Sequence, residues 1–210
     1  MMELPEILTI SKQVNELLKG KVITQVFTPT TLHKFAFFCG DPEDYKPLLT
    51  GKKILSAEGS GMFVDIKLEE DTTITLGDGV NLKYGEAEAK IPDKYQLLLT
   101  FSDNSFLAMT VAMYGFIYAY KGYMDNIYHQ QSFEKVSPLS NSFDEKYFFR
   151  LFENEKKNLT AKGVLATEQR IPGVGNGVVQ DILFKAGIHP KRKITTFSDE
   201  DKKNLFVTLK

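Results

Sequence analysis

The sequence has one cysteine, Cys39, and three histidines, His33, His129 and His189. A single thiol excludes a disulfide within the chain. So few soft ligands also argue against a zinc site in it. No run of about 18 apolar residues occurs, so no membrane-spanning helix is predicted. The opening MMELPEILTISKQ is mixed in charge and reads as a helix rather than a signal peptide. Net charge is scarce as well: 26 Lys and Arg against 27 Asp and Glu leave −1. Composition alone therefore does not announce a nucleic-acid partner, and a cytoplasmic protein without a membrane partner is the expectation.

What is present begins with 210 residues, enough for one large domain or two small ones. A hydrophobic content of 42%, with 16 Phe and 9 Tyr, is ample for real cores. The charge is unevenly placed. Between Lys156 and Lys193 eight basic residues (Lys156, Lys157, Lys162, Arg170, Lys185, Lys191, Arg192, Lys193) face two acidic ones (Glu168, Asp181). A phosphate-binding half shows such an excess, and so does a plain solvated face; charge alone does not separate the two.

The chain reads as three zones. A helix is predicted from Pro5 to about Leu18, with Ile7, Ile10, Val14, Leu17 and Leu18 as its apolar stripe and Gly20 as its stop. From Lys21 to about Tyr120 eight short strands are predicted: KVITQVFT, KFAFFC, KKILSAE, MFVDIKL, TTITLG, YQLLLTF, SFLAMTV and GFIYAYK. EEDT, DGVN and SDNS read as turns between them, and FVDIKL and TITLG alternate as half-buried antiparallel strands. That density of strands suggests a sandwich or barrel. After SPLSNSF the period becomes helical. Phe148, Leu151 and Phe152 mark one helix, about Ala161–Thr167 a second, Asn176 to Gly187 a third, and Ser198 caps a fourth. The fourth carries Leu205, Phe206 and Leu209 and has no stop signal before Lys210, which suggests a fragment or an edited C-terminus.

The segment IPGVGNGVVQD, residues 171–181, places Gly173, Gly175 and Gly177 where a helix begins. Gly costs roughly 0.5–1 kcal/mol relative to Ala in such a place. A tight turn or the close approach of another molecule has to offset that. Helix N-termini attract phosphate. Gly173 and Gly175 allow the turn, Asn176 suits the N-cap and has an amide to donate, and Lys162 lies one short helix upstream. A packing turn between helices accounts for the glycines equally well on physics alone.

The residues themselves resemble a known family. IPGVGNGVVQDILFKAGIHPKRK is similar to the helix-two-turn-helix signature of the formamidopyrimidine-DNA glycosylase/endonuclease VIII family, which reads G-[IV]-G-N, then a helix ending LF-x-A-x-I-x-P. Lys162 lies eleven residues before Gly173, as the family's phosphate-contacting Lys does. PLSNSFDEKYF resembles the family's linker into its helical half, and MMELPE its M-P-E-L-P-E opening. The resemblance spans nearly the whole chain. It implies an α+β fold: an N-terminal helix on an antiparallel two-sheet β-sandwich (residues 1–130), then a helix-two-turn-helix DNA-binding domain (131–210) truncated at its C-terminus. It implies DNA in the cleft between the domains, and base excision in which the N-terminal Pro amine attacks C1′ of the damaged nucleotide. Strand cleavage by β/δ-elimination follows. It also implies a Glu for proton transfer, a strand-turn Lys, and a C-terminal zinc finger.

The departures fall on the chemistry. Met2 stands where the family has its nucleophilic Pro. An initiator Met before a bulky residue is normally retained, so the terminal amine is that of Met1, primary rather than secondary and one residue further out. Glu3 and Glu6 are kept; both also suit a helix N-terminus as dipole partners. GSGMFV aligns with R-R-G-K-Y-L, which puts Met62 at the Lys position; Lys52 and Lys53 lie one strand earlier. TVAMYG (110–115) aligns with D-P-R-R-F-G, so that Arg is lost while Met113 and Tyr114 remain to wedge between bases. TLGDGVN (75–81) aligns with H-L-G-M-x-G and places Asp78 where phosphate is expected. His33 and Lys34, in LHKFAFF, are local candidates, although a half-buried strand accounts for them.

The expectation is an endonuclease VIII-like DNA glycosylase and AP lyase relative of base excision repair, with its lyase chemistry in doubt. The catalytic candidates are Met1, Met2, Glu3 and Glu6. The DNA-binding candidates are Lys162, Gly173, Gly175, Asn176, Met113 and Tyr114. No metal or cofactor is expected in this chain, since the family's zinc finger has no counterpart in residues 1–210. The expected partner is damaged or abasic double-stranded DNA, met by a monomer, and the location is cytoplasmic, at the nucleoid through DNA. A non-catalytic damage- or structure-specific DNA-binding protein is the alternative. An RNA- or ribosome-associated protein is a more distant one, against which the N-terminal match argues.

Overall fold

A computed structural model describes residues 2–29, 33–153, 158–167 and 170–210. Met1, Lys156, Lys157 and Glu168, singled out in the sequence, lie outside the described residues. The chain divides into two compact units, Met1–Asn126 and Ile127–Lys210.

The first unit opens with helix α1 (Leu4–Leu18), capped by Glu3 and carrying Pro5 in its first turn. Ile7, Val14 and Leu18 are buried as the stripe requires, whereas Leu17 is exposed. Gly20 ends the helix region at φ 87°. Seven strands follow: β1 (Ile23–Phe27), β2 (Ala36–Phe38), β3 (Ile54–Ser60), β4 (Phe63–Leu68), β5 (Thr72–Gly85), β6 (Leu97–Phe101) and β7 (Phe106–Lys121). A short helix, α2 (Tyr45–Leu49), which the sequence pattern did not reveal, lies between β2 and β3. The hydrogen-bonded order is β1-β6-β7-β5-β4-β3, antiparallel throughout, with β2 added parallel to β7.

This sheet forms the two layers of a sandwich because β5 and β7 run through both. Their first pairing, Thr72–Asp78 with Lys121–Gly115, belongs with β4 and β3. Their second, Val80–Gly85 with Val111–Phe106, belongs with β6 and β1. The outer edges meet again where Val22 bridges Lys53 and Ile54 N–H donates to the Lys21 carbonyl at 2.9 Å. One core joins α1 to both layers, through Ile7, Val14, Ile66, Ile74, Leu99 and Met109.

Two strand readings are corrected. SFLAMTV and GFIYAYK are a single strand, and DGVN is a bulge inside β5 rather than a turn. Its turn chemistry is real but is spent locally: Asp78 takes φ 59° within continuous pairing. FVDIKL is buried on both faces instead of alternating. Its second face is covered by aromatic residues of β7, Phe63 lying 5.3 Å from Phe116. Asp65, buried on this strand, accepts from the Thr75 hydroxyl at 2.6 Å and from Lys67 Nζ at 2.9 Å.

The second unit is helical: α3 (Ile127–Glu134), α4 (Glu145–Arg150), a single π-turn (Gly163–Thr167), α5 (Asn176–Lys185), and α6 (Asp199–Leu209). The sequence pattern missed α3, whose Ile127 and Tyr128 are exposed and whose one buried residue is Ser132. Leu151 and Phe152 fall just past α4. Ser198 caps α6 as expected, accepting from Asp201 N–H at 3.1 Å. The core of this unit gathers Phe143, Phe148, Leu165, Val174, Val179, Leu183 and Leu205. Among the described residues, no helix is long and apolar enough to cross a membrane.

Candidate functional site

In the first unit the candidate residues meet around the β5 bulge. Glu3 caps α1, and its N–H donates to the Glu6 carboxylate at 2.8 Å. Both acids thus serve the helix start, whatever else they do. Just before them, Met2 is buried in the core, 7% exposed, and its N–H donates to the Asp78 carbonyl at 3.1 Å. Residue 2 is therefore tied to β5. A groove of about 290 Å³ runs from Met2 and Glu6 along α1, with Gln13, Asn81 and Tyr84 on its walls.

Opposite Asp78, β7 pairs through Gly115, and opposite Val80 through Val111. Only Gly79 on β5 matches Ala112, Met113 and Tyr114 on β7. Three residues against one must bulge, and all three are exposed, Met113 at 73%. The bulge needs glycine across from it: a Cβ on Gly79 falls 2.6 Å from the Tyr114 carbonyl oxygen. Gly115 N–H donates to the Phe35 carbonyl at 3.0 Å, which fixes Phe35 beside this tip. Phe35 is about half exposed, with Lys34 Nζ 5.3 Å from its ring centre. Sequence reading placed this segment in a half-buried strand and missed the exposed ring. The strand, β2, starts one residue later and has one intermediate, one exposed and one intermediate residue.

Met62 occupies the tight turn between β3 and β4, half buried against the core. Its neighbour Phe63 pairs with Gly77, adjacent to Asp78. Lys52 and Lys53 do not replace a lysine there. They stand at the other end of β3, about 20 Å away at the usual rise per strand residue. Lys52 pairs with Glu70 at 2.6 Å and Lys53 with Glu69 at 3.5 Å. Burial raises the Asp78 carboxyl above its ordinary value.

In the second unit the glycine turn takes the expected form. Gly173 has φ 81°, a left-handed conformation that costs other residues strain. Gly175, not Asn176, is the N-cap; Asn176 is the first helical residue and is exposed. The turn's apolar half, Ile171 and Val174, is buried in the same core as Leu165 and Val179. Lys162 precedes the π-turn, and its N–H donates to the Pro190 carbonyl at 3.1 Å. With Ala161 N–H on the Arg192 carbonyl at 2.9 Å and the Thr160–Lys193 bridge, this ties the Lys162 segment to the chain after α5.

The basic excess sorts into two kinds. Arg192 grips Asp201 through two bonds of 2.8 and 2.7 Å, Arg170 donates to the Leu151 carbonyl, and Lys193 to the Asn158 carbonyl. These hold the fold. Lys162, Lys185 and Lys191 make no ion pair among the described residues, and so remain available to an anion. Among the described residues no group of three or more His, Cys, Asp or Glu is placed to hold a metal ion.

A helix-led β-sandwich followed in sequence by a helical unit with a glycine-rich helix start is the architecture of one class of DNA repair proteins. Residues 1–110 match the formamidopyrimidine-DNA glycosylase N-terminal domain. The chain belongs to the formamidopyrimidine-DNA glycosylase family. It is 27% identical over 221 residues to the formamidopyrimidine-DNA glycosylase of Bacillus subtilis, covering all of this chain and 75% of that protein. With the Bacillus licheniformis enzyme of the same name it shares 30% identity over 195 residues, covering 91% of this chain and 69% of that one. Lactococcus lactis Fpg, solved in complex with DNA containing an abasic site, superposes with a TM-score of 0.82 at 21% identity. That match covers 99% of this chain and 76% of the other and establishes the shared fold.

Proposed function

We propose that this chain is an endonuclease VIII-like DNA glycosylase relative that acts as a monomer on damaged or abasic duplex DNA. The observation that carries the reading is the junction in the first unit, where the start of the chain is bonded to Asp78 beside the exposed Met113–Tyr114 bulge. A nucleophile and a base-stacking wedge are thereby held on one rigid element. In the second unit the α5 N-terminus and Lys162 take DNA phosphate.

The terminal α-amine is the nucleophile. It attacks C1′, the bond from C1′ to the base breaks with its electron pair on the base, and the base takes up a proton from water. Glu3 accepts the amine's proton and returns one to the sugar oxygen as the ring opens, leaving an imine. β-Elimination from that imine breaks the strand.

Met62 on the turn where the family has lysine, and Met2 packed in the core, favour a second reading: a damage-binding protein without catalysis. Borohydride treatment of the protein on abasic-site DNA, with mass spectrometry of the N-terminal peptide, separates the two. A reduced cross-link at residue 1 or 2 supports the enzyme. Tight binding with no cross-link and no base release supports the binding protein.

A further inference from the structure

Asp78 has no counterpart in the family's H-L-G-M-x-G pattern and is placed unlike any other acid in the first unit. It holds φ 59° in a strand, is half buried with one carboxyl oxygen fully enclosed, and receives Met2 N–H on its carbonyl at 3.1 Å. A non-glycine residue at such φ is uncommon, although Asp and Asn tolerate it best. The bond to Met2 has a consequence for either form of the N-terminus. If the initiator is removed, the Met2 nitrogen is itself the α-amine and already sits at Asp78. If it is kept, the amine belongs to the residue directly preceding, and consecutive Cα atoms are only about 3.8 Å apart.

We propose that Asp78 is the positioning residue of the N-terminal amine: its carbonyl anchors residue 2 and its carboxylate holds the α-amine in place, leaving the proton transfers to Glu3. This rests on the reading that the amine is the nucleophile. The carboxylates at the start of α1, Glu3 and Glu6, both serve the helix cap, and Tyr114 is the ionisable group in the β7 bulge. Asp78 therefore supplies locally what the missing turn lysine does not: a fixed charge that orients the nucleophile.

Asp78→Asn isolates the charge, since Asn accepts the same backbone conformation. Two measurements on the folded variant, checked by its melting temperature, are needed. The first is reductive methylation of the α-amine with formaldehyde and cyanoborohydride at pH 7, read by peptide mass spectrometry. Losing a carboxylate within about 4–6 Å lowers the amine's pKa by one unit or more, so methylation should speed up about tenfold. The second is the single-turnover rate of borohydride trapping on abasic DNA, which should fall at least about tenfold at unchanged DNA affinity. Opposite movement of the two rates is the signature, because a general loosening would raise the first and weaken DNA binding too. Unchanged methylation overturns the assignment of Asp78 whether or not the protein traps DNA. Faster methylation in the variant, with no trapping even by the wild type, upholds the contact and overturns the enzymatic reading instead.

Discussion

Gly79→Ala tests the central junction most directly. A Cβ at this position lies 2.6 Å from the Tyr114 carbonyl oxygen, a backbone atom that no side-chain rotation removes. Reaching ordinary van der Waals distance, 3.4 Å or more, requires the two strands to part by about 0.8 Å at the bulge. Overpacking of this kind costs about 1–3 kcal/mol. For a chain of this size each kcal/mol lowers the melting temperature by roughly 2–4 °C, so a fall of about 2–12 °C is expected. The displacement falls between Asp78, which anchors Met2, and Tyr114, which forms the exposed tip. Trapping on abasic DNA should therefore decline along with stability. Gly20→Ala is the matched control. Nothing lies within 4 Å of its added Cβ, but φ is 87°, so it carries backbone strain of about 1–2 kcal/mol far from the bulge. It should melt lower and trap normally. If Gly79→Ala melts within 1 °C of wild type and traps at the same rate, the close approach of the two strands does not matter and the geometry argued for the site is wrong.

Lys162→Ala and Asn176→Ala should each weaken DNA binding alike for every sequence, and the lysine change should reduce the salt slope by about one unit. Filter binding across a salt series that finds both variants equal to wild type removes the phosphate turn from the interface. Glu3→Gln should abolish measurable base release, a loss within the 10²–10⁴-fold span of a general acid–base group, while duplex affinity stays nearly intact. Base release at the wild-type rate moves the proton transfer elsewhere. Asp201 has its pKa lowered to about 2, first by the hydrogen bonds from Arg192 and then by the Ser198 N–H. A depressed folded-state pKa stabilises the native form above the unfolded value near 4 and loses that contribution as pH falls through about 2. Acid titration of Arg192→Met should show a smaller loss of stability across that window than wild type; an identical profile denies the pair that role.

The parts of this fold that were legible in the sequence are those fixed by local chemistry. The α1 stripe, the Ser198 cap and the Gly173 turn each depend on residues within one or two helical turns, so spacing and glycine placement reveal them. What local chemistry misreads is the centre of the sandwich. DGVN carries every mark of a turn, yet it continues a 14-residue strand because its partner, β7, supplies three residues against Gly79 and absorbs the irregularity. No window of sequence contains both halves of that arrangement, which pair across about thirty residues. The same holds for Phe35, whose exposure is set by its bond to Gly115 eighty residues on.

The candidate site shows the limit more sharply. In the sequence Met2, Glu3, Met62 and Asp78 are separate departures from, or matches to, a family pattern. The structure relates them to one another. Met2 is bonded to Asp78, Met62 precedes the residue that pairs beside it, and the exposed tip lies directly across the strands. A chain that had merely lost its nucleophile and its lysine would have little reason to keep a half-buried acid in a left-handed conformation against its N-terminus. Burying a charged group without a use is costly. On the proposal made for it, the acid at position 78 is what would set this protein apart from a decayed copy of its family. Whether the α-amine so held is trapped on abasic DNA decides between an altered enzyme and a binding protein.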